Sequence, residues 1–189
     1  MNLQEPLPRG TAALAVACCM GTTALLLARG RVSLPRQKVG AHLRFADGTS
    51  GRVFRETLVE REPPEEPCLL VVEFRLRLLH GRLHALFLWE CILNTPLFVG
   101  FPGFVSKLWL DRDEQDRYRG LYEWDDPAGA QFYARALWRV LELVSPRDSI
   151  HYRVVPGVRR DDVLRDPHVL DQVDSETAPE WWRVVATTP

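Results

Sequence analysis

Residues 68–77, CLLVVEFRLR, set Leu70, Val72, Phe74 and Leu76 on one side and Glu73, Arg75 and Arg77 on the other. That two-residue period predicts a strand. Helical spacing follows over 80–93, where Leu83, Leu86, Phe87 and Ile92 are among the apolar positions, and Asn94-Thr95-Pro96 ends it. Alternation returns over 104–110, with Phe104, Leu108 and Leu110 on one side and Lys107 and Trp109 on the other. Residues 118–124 predict the next strand. Asp126 and Pro127 then open a helix over 128–144, an acidic cap followed by proline at the first helical position. Its polar stripe is Gln131, Arg135, Arg139 and Glu142; Tyr133, Leu137, Val140, Leu141 and Val144 cover the other side, and Pro146 stops it. In a last strand, 149–156, Ile150, Tyr152 and Val154 alternate with His151, Arg153 and Val155. The pattern over 68–157 is βαββαβ, an α+β unit with a four-stranded antiparallel sheet and two helices on one face.

Other segments flank this unit. Residues 1–38 hold an uncharged apolar run, 11–28, followed by Arg29, Arg31, Arg36 and Lys38. Three readings stand side by side: a membrane anchor with the following domain on the cytoplasmic face, a soluble N-terminal helix, and a cleaved signal peptide. Residues 39–67 read as a β-hairpin turning at Asp47-Gly48, followed by the charged, proline-rich linker REPPEEP. Residues 158–189 read as one short helix, RRDDVLRDPHVL, and a tail in which Trp181-Trp182 docks on the domain or at a membrane interface.

A formal net charge of −1 gives no global field to draw nucleic acid, and no basic stripe interleaved with aromatics appears. Four cysteines without a CxxC or a zinc spacing predict no metal site and a reduced compartment. The sequence carries no Ser/His/Asp order, Gly-rich phosphate loop or HExxH, which removes support for hydrolase, nucleotide-binding and zinc-protease readings.

The segments GFPGFVSKLWL, YRGLYEWDDPAGAQFYARAL and SIHYRVVPG resemble the glycine-to-strand entry, the strand–acidic turn–helix unit and the closing strand of the ferredoxin-like dimeric α/β-barrel superfamily. That superfamily includes antibiotic-biosynthesis-monooxygenase-like proteins and other small monooxygenase-like proteins. The hairpin LRFADGTSGRVFRETLVE is similar to one preceding the barrel in a set of bacterial proteins. The resemblance implies a homodimer through the sheet face and monooxygenase-like or isomerase-like chemistry without a cofactor. The haem-degrading branch carries a histidine on its second helix; residues 128–144 contain none.

Alternation places Glu73, Arg75, Lys107, Trp109, His151 and Arg153 on the sheet face away from the helices, joined by Arg119 and Glu123 if Tyr122 and Trp124 face the helices. The surplus of positive charge predicts an enclosed basic pocket for a flat acidic or polyketide-like substrate. His151 is its only imidazole and the candidate general base, with Trp109 to stack on a flat ligand. The competing expectation is a non-catalytic dimeric binding or assembly module that uses the same face for dimerisation, its charges pairing across the dimer interface. An enclosed cavity touching both His151 and Trp109 favours the enzyme; a face filled by side chains and complete ion pairs favours the module.

Overall fold

The computed structural model describes residues 5–77, 95–173 and 180–188. The helix expected over 80–93, with Cys91, lies outside the described residues. In chain order the elements are α1 (Arg9–Ala28), β1 (Val32–Ser33), β2 (His42–Phe45), β3 (Ser50–Val59), β4 (Cys68–Arg75), β5 (Phe104–Leu110), β6 (Arg117–Trp124), α2 (Pro127–Leu141), β7 (His151–Pro156), α3 (Arg160–Arg165) and β8 (Val184–Thr188).

Strand order explains the fold. The four strands expected over 68–157 lie in the order β7-β4-β6-β5, all antiparallel. This is a ferredoxin-like order, with α2 packed against β4 and β7. The sheet is larger than the four strands expected. Beyond β5 it continues through β3, β2 and β8, with β1 on β3, to eight strands. The hairpin is therefore part of the main sheet, and the tail returns to it as β8 on β2. An unpaired β5 edge would expose a row of backbone donors and acceptors, and β3 covers it from Val53↔Leu110 to Leu58↔Ser106.

Local signals set the element ends. Asp126 caps α2 by accepting a hydrogen bond from the Gly129 amide at 2.8 Å, with Pro127 in the first turn. The helix ends at Leu141, three residues before the expected end, because the Leu143, Val144 and Ser145 amides turn back onto Val140 and Leu141. The expected short helix after Gly157 splits: Asp166 ends α3 and caps a 3-10 turn at Pro167–Gln172.

Two cores lie on opposite faces of the sheet. On the helix face, Leu70, Val72, Phe104, Trp109, Tyr122 and Trp124 pack with Tyr133 of α2. On the second face, Leu69, Val71, Leu108, Leu121 and Val155 pack beneath Val163, Leu170, Trp181 and Trp182. The C-terminal segment is thus a third layer, and β4 is buried on both sides. Its run Cys68-Leu69-Leu70-Val71-Val72 is uninterruptedly apolar for that reason.

Helix α1 lies along the flank of the helix layer. Leu7 is tied to α2 in both directions, its amide donating to Arg135 O at 3.2 Å and its carbonyl accepting from Arg139 Nε at 2.7 Å. Farther along, the Cys19 thiol donates to Pro96 O at 3.1 Å. Gly100 is pressed against this helix so closely that a Cβ there would stand 2.1 Å from Cys19 O.

Candidate functional site

Strand alternation assigns each candidate a face, and one irregularity decides the assignment for β5. The register of β5 against β6 shifts between Phe104 and Ser106, so Val105 is an extra residue in the ladder. Phe104 opposes Trp124 and faces the helices; after the shift, Ser106 opposes Glu123, Lys107 opposes Tyr122 and Trp109 opposes Gly120. Lys107 and Trp109 therefore face the helix layer, and Leu108 faces away. This reverses the expectation for that strand, because an extra residue exchanges the faces of everything downstream.

The other candidates share the second face as expected. Glu73 lies opposite both Arg119 and His151 in register, and Val71 opposite Arg153. His151 itself is exposed, its ring 5.9 Å from that of Trp181. Arg153 stands 5.3 Å over Trp182. Arg75 is exposed at the end of β4. The whole sheet thus stands between His151 and Trp109.

What fills the second face is a pair of ion-pair clusters. In the first, the Arg119 guanidinium reaches Glu73, Asp47 at 2.9 Å and Asp113 at 3.0 Å, and donates to Thr49 Oγ1 at 2.8 Å. Arg117 binds Asp113 at 2.9 Å and Asp47 at 2.8 Å and stands 3.4 Å from Glu73. Phe45 lies under Arg119, 4.2 Å from guanidinium carbon to ring centre. Two arginines thus meet three carboxylates, which ties the β2–β3 turn to β6 and β4. Burial raises the Glu73 carboxyl, with Arg119 and Arg117 pulling it back. At Asp47 burial also pushes upward, but the Thr49 hydroxyl and amide, Arg119 and Arg117 outweigh it and hold the carboxyl below its ordinary range.

The second cluster pins the C-terminal layer. Arg160 is 1 % exposed. Its guanidinium binds Glu56 at 2.6 Å and Asp161 at 2.7 Å, and its amide donates to Glu123 at 3.2 Å. Lys38 reaches Glu56 at 3.1 Å and Asp161 at 2.8 Å. Burial raises the Glu123 carboxyl, partly offset by Arg160. Asp161 is pushed up by burial, yet Arg160 and Lys38 hold it low.

The candidates on the helix face have a different setting. The Lys107 ammonium sits 3.1 Å from the Trp109 ring centre and 4.6 Å from those of Phe98 and Tyr122. Trp109 is anchored by its indole N–H, which donates to Thr57 Oγ1 at 3.3 Å. Such packing stabilises a buried ammonium by attraction to the ring faces. On β4, Cys68 is buried and desolvation pushes its thiol up to about 12.

Sequence reasoning missed Asp47, Asp113, Glu56, Lys38, Arg160 and Asp161. Asp47 was visible only as a turn residue, and the run Arg159-Arg160-Asp161-Asp162 gives no sign that its second arginine is buried. No group of His, Cys, Asp and Glu suited to a metal ion occurs among the described residues.

No protein-family model matches the chain, and no curated protein is significantly similar to it. Solved structures similar to it include the following three. A ferredoxin-fold protein from Listeria monocytogenes, related to antibiotic biosynthesis monooxygenases, shares 13 % identity with a TM-score of 0.44, covering 72 % of this chain and 88 % of that one. A monooxygenase-like protein from Listeria innocua shares 13 % with a TM-score of 0.42, over 61 % and 68 % of the two chains. A major regulator of staphylococcal pathogenesis shares 12 % with a TM-score of 0.42, over 72 % and 92 %.

Proposed function

We propose that this protein is a non-catalytic binding or assembly module, a ferredoxin-like scaffold that works through its outer surface. The observation that carries this reading is the filled second face. Trp181, Trp182, Val163 and Leu170 occupy it, and Arg160 is locked between Glu56 and Asp161 beneath them. Of the charges that suggested a basic pocket, Arg119 is held by Glu73, Asp47 and Asp113, and Arg153 stands over Trp182; Arg160, a further buried arginine on this face, is held by Glu56. A buried guanidinium held by three carboxylates has little attraction left for an anionic substrate. A homodimer through this face would have to displace the two tryptophans.

A monooxygenase-like or isomerase-like activity is the second reading, and one observation favours it. Lys107, Trp109 and Tyr122 bring an ammonium and aromatic faces together on the helix side, a chemistry suited to a flat anionic ligand.

The test is a titration of the isotopically labelled protein with aromatic carboxylic acids, followed by NMR, with the same mixtures in air assayed for oxygenated product by mass spectrometry. The module reading expects no product, with the indole N–H signals of Trp109 and Trp182 unmoved. Saturable shifts at Trp109 together with product formation would establish the enzyme reading instead.

A further inference from the structure

We propose that α1 lies in the plane of an anionic lipid surface, docked on its own domain by one side and in contact with lipid by the other. Nothing in this inference depends on whether the core is catalytic. No residue from Thr11 to Ala28 is charged, and the 20-residue helix is apolar around its whole circumference. A helix of that kind belongs in a core or in lipid. Here only Ala12, Cys19 and Thr23 are buried, a narrow seam of small residues on one side. On the opposite side Leu14 is 66 % exposed and Leu25 is 48 % exposed. Beside it runs a groove of about 500 Å³, where Ala13, Val16, Ala17 and Met20 face Val140 and Leu143, with Arg9 and the Arg139–Glu142 ion pair also in its lining. Leu143, the residue that closes this groove at the end of α2, is 78 % exposed. The apolar surface thus passes from the helix onto the domain.

Charge selects lipid as the occupant. From Pro6 to Lys38 the chain carries Arg9, Arg29, Arg31, Arg36 and Lys38 and no acidic residue. Lys38 is engaged with Glu56 and Asp161, and Arg31 shares an open pocket with Glu60 and Glu62. Arg9 and Arg29 remain exposed at the two ends of the helix, and Arg36 is exposed farther along the chain. Cations bordering an apolar surface suit anionic headgroups above acyl chains.

The tethers select the orientation. Leu7 is bonded to Arg135 and Arg139 at one end of the helix, while Cys19 and Thr23 bond to Pro96 O towards the other. Gly100 leaves no space for even a methyl group at this seam. A helix held at both ends along a domain flank meets a bilayer side-on. Crossing the bilayer would break every one of these contacts.

The experiment is flotation of the full chain with phosphatidylcholine vesicles with and without phosphatidylserine. Expected is binding to the phosphatidylserine vesicles that Leu14→Glu or Leu25→Glu abolishes without lowering the melting temperature. Each exposed arginine at the helix ends contributes about fivefold, so the Arg9→Gln/Arg29→Gln pair loses about twenty-five-fold. Depth separates the two membrane geometries. Cys18 is exposed on α1, whereas Cys19 and Cys68 are buried, so a fluorophore can be placed on Cys18 in a Cys91→Ser background. In-plane contact puts it ~5–10 Å into the interface, where lipids brominated near the headgroup quench it best. A spanning helix puts this mid-helix position about 15 Å deep, where bromines at the chain ends quench best. Deepest quenching at the chain ends overturns the proposal. So does absence of vesicle binding, whether or not light scattering then shows a dimer that Leu14→Glu dissociates.

Discussion

Replacing Arg160 by Met probes the closure of the second face at its most buried charge. Arg160 is 1 % exposed and meets Glu56 at 2.6 Å. Removing one partner of a buried ion pair costs ~3–5 kcal/mol, because the other charge is stranded. Lys38 still reaches Glu56 at 3.1 Å, and Asp161, half in solvent, can turn outward, so the expected loss is near the low end, ~3 kcal/mol. For a domain of this size that lowers the melting temperature by ~6–12 °C. The pair is incompletely satisfied: Glu56 Oε2 and Arg160 Nη1 are buried without a hydrogen-bond partner among the described residues. Arg160→Met/Glu56→Met should therefore recover most of the loss, as an apolar replacement of a buried pair is often neutral. The assay is urea and thermal unfolding of wild type, both single variants and the double variant. A shift under ~2 °C for Arg160→Met, or a double variant as unstable as the sum of the singles, would refute the reasoning.

Asp47 is held below its ordinary range, so its contribution is present above about pH 4 and is lost as pH falls through its lowered folded pKa. Asp47→Asn should cost ~1–3 kcal/mol at pH 7, and unfolding curves should show the gap to wild type narrowing below pH ~4. Glu73, raised by burial, acts with the opposite sign: its contribution is full at low pH and is lost as pH rises through its raised folded pKa, so Glu73→Gln should not reproduce that narrowing. Gly100→Ala places a methyl group against Cys19 O and Thr23 and should lower stability by ~1–3 kcal/mol in denaturant titrations, with Cys19 becoming reactive to maleimide as α1 lifts. Asp126→Ala removes the α2 cap and should cost ~1 kcal/mol in the same titrations, with Asp126→Ser recovering most of it.

The four strands and α2 of the central unit were legible because they carried their own signals, period-two alternation in β4 and β7 and the Asp126-Pro127 start of α2, and the hairpin was legible from its Asp47-Gly48 turn. Alternation combined with the ferredoxin-like order also anticipates that Glu73 and His151 are neighbours, as their register shows. Two features escaped for physical reasons. Val105 adds a residue to one strand of an antiparallel pair, and nothing in FVSKLWL announces it, so Lys107 and Trp109 were assigned the wrong face. The third layer was foreshadowed by Leu69 and Val71, which break the alternation of β4. A half-buried strand would put polar residues there, and apolar residues at both positions indicate a covered second face. The residues that do the covering, Trp181 and Trp182, lie more than a hundred positions away, and no local pattern connects them to β4.

The filled second face is tested most directly by a nuclear Overhauser measurement between the His151 ring and the indole of Trp181, whose ring centres lie 5.9 Å apart. It should be made on a mixture of isotope-labelled and unlabelled chains, so that contacts within one chain are distinguished from contacts between two. The account predicts an intramolecular cross-peak that is unchanged on dilution and on addition of an aromatic carboxylic acid. A cross-peak appearing only between differently labelled chains, or one lost when the acid is added, would contradict it.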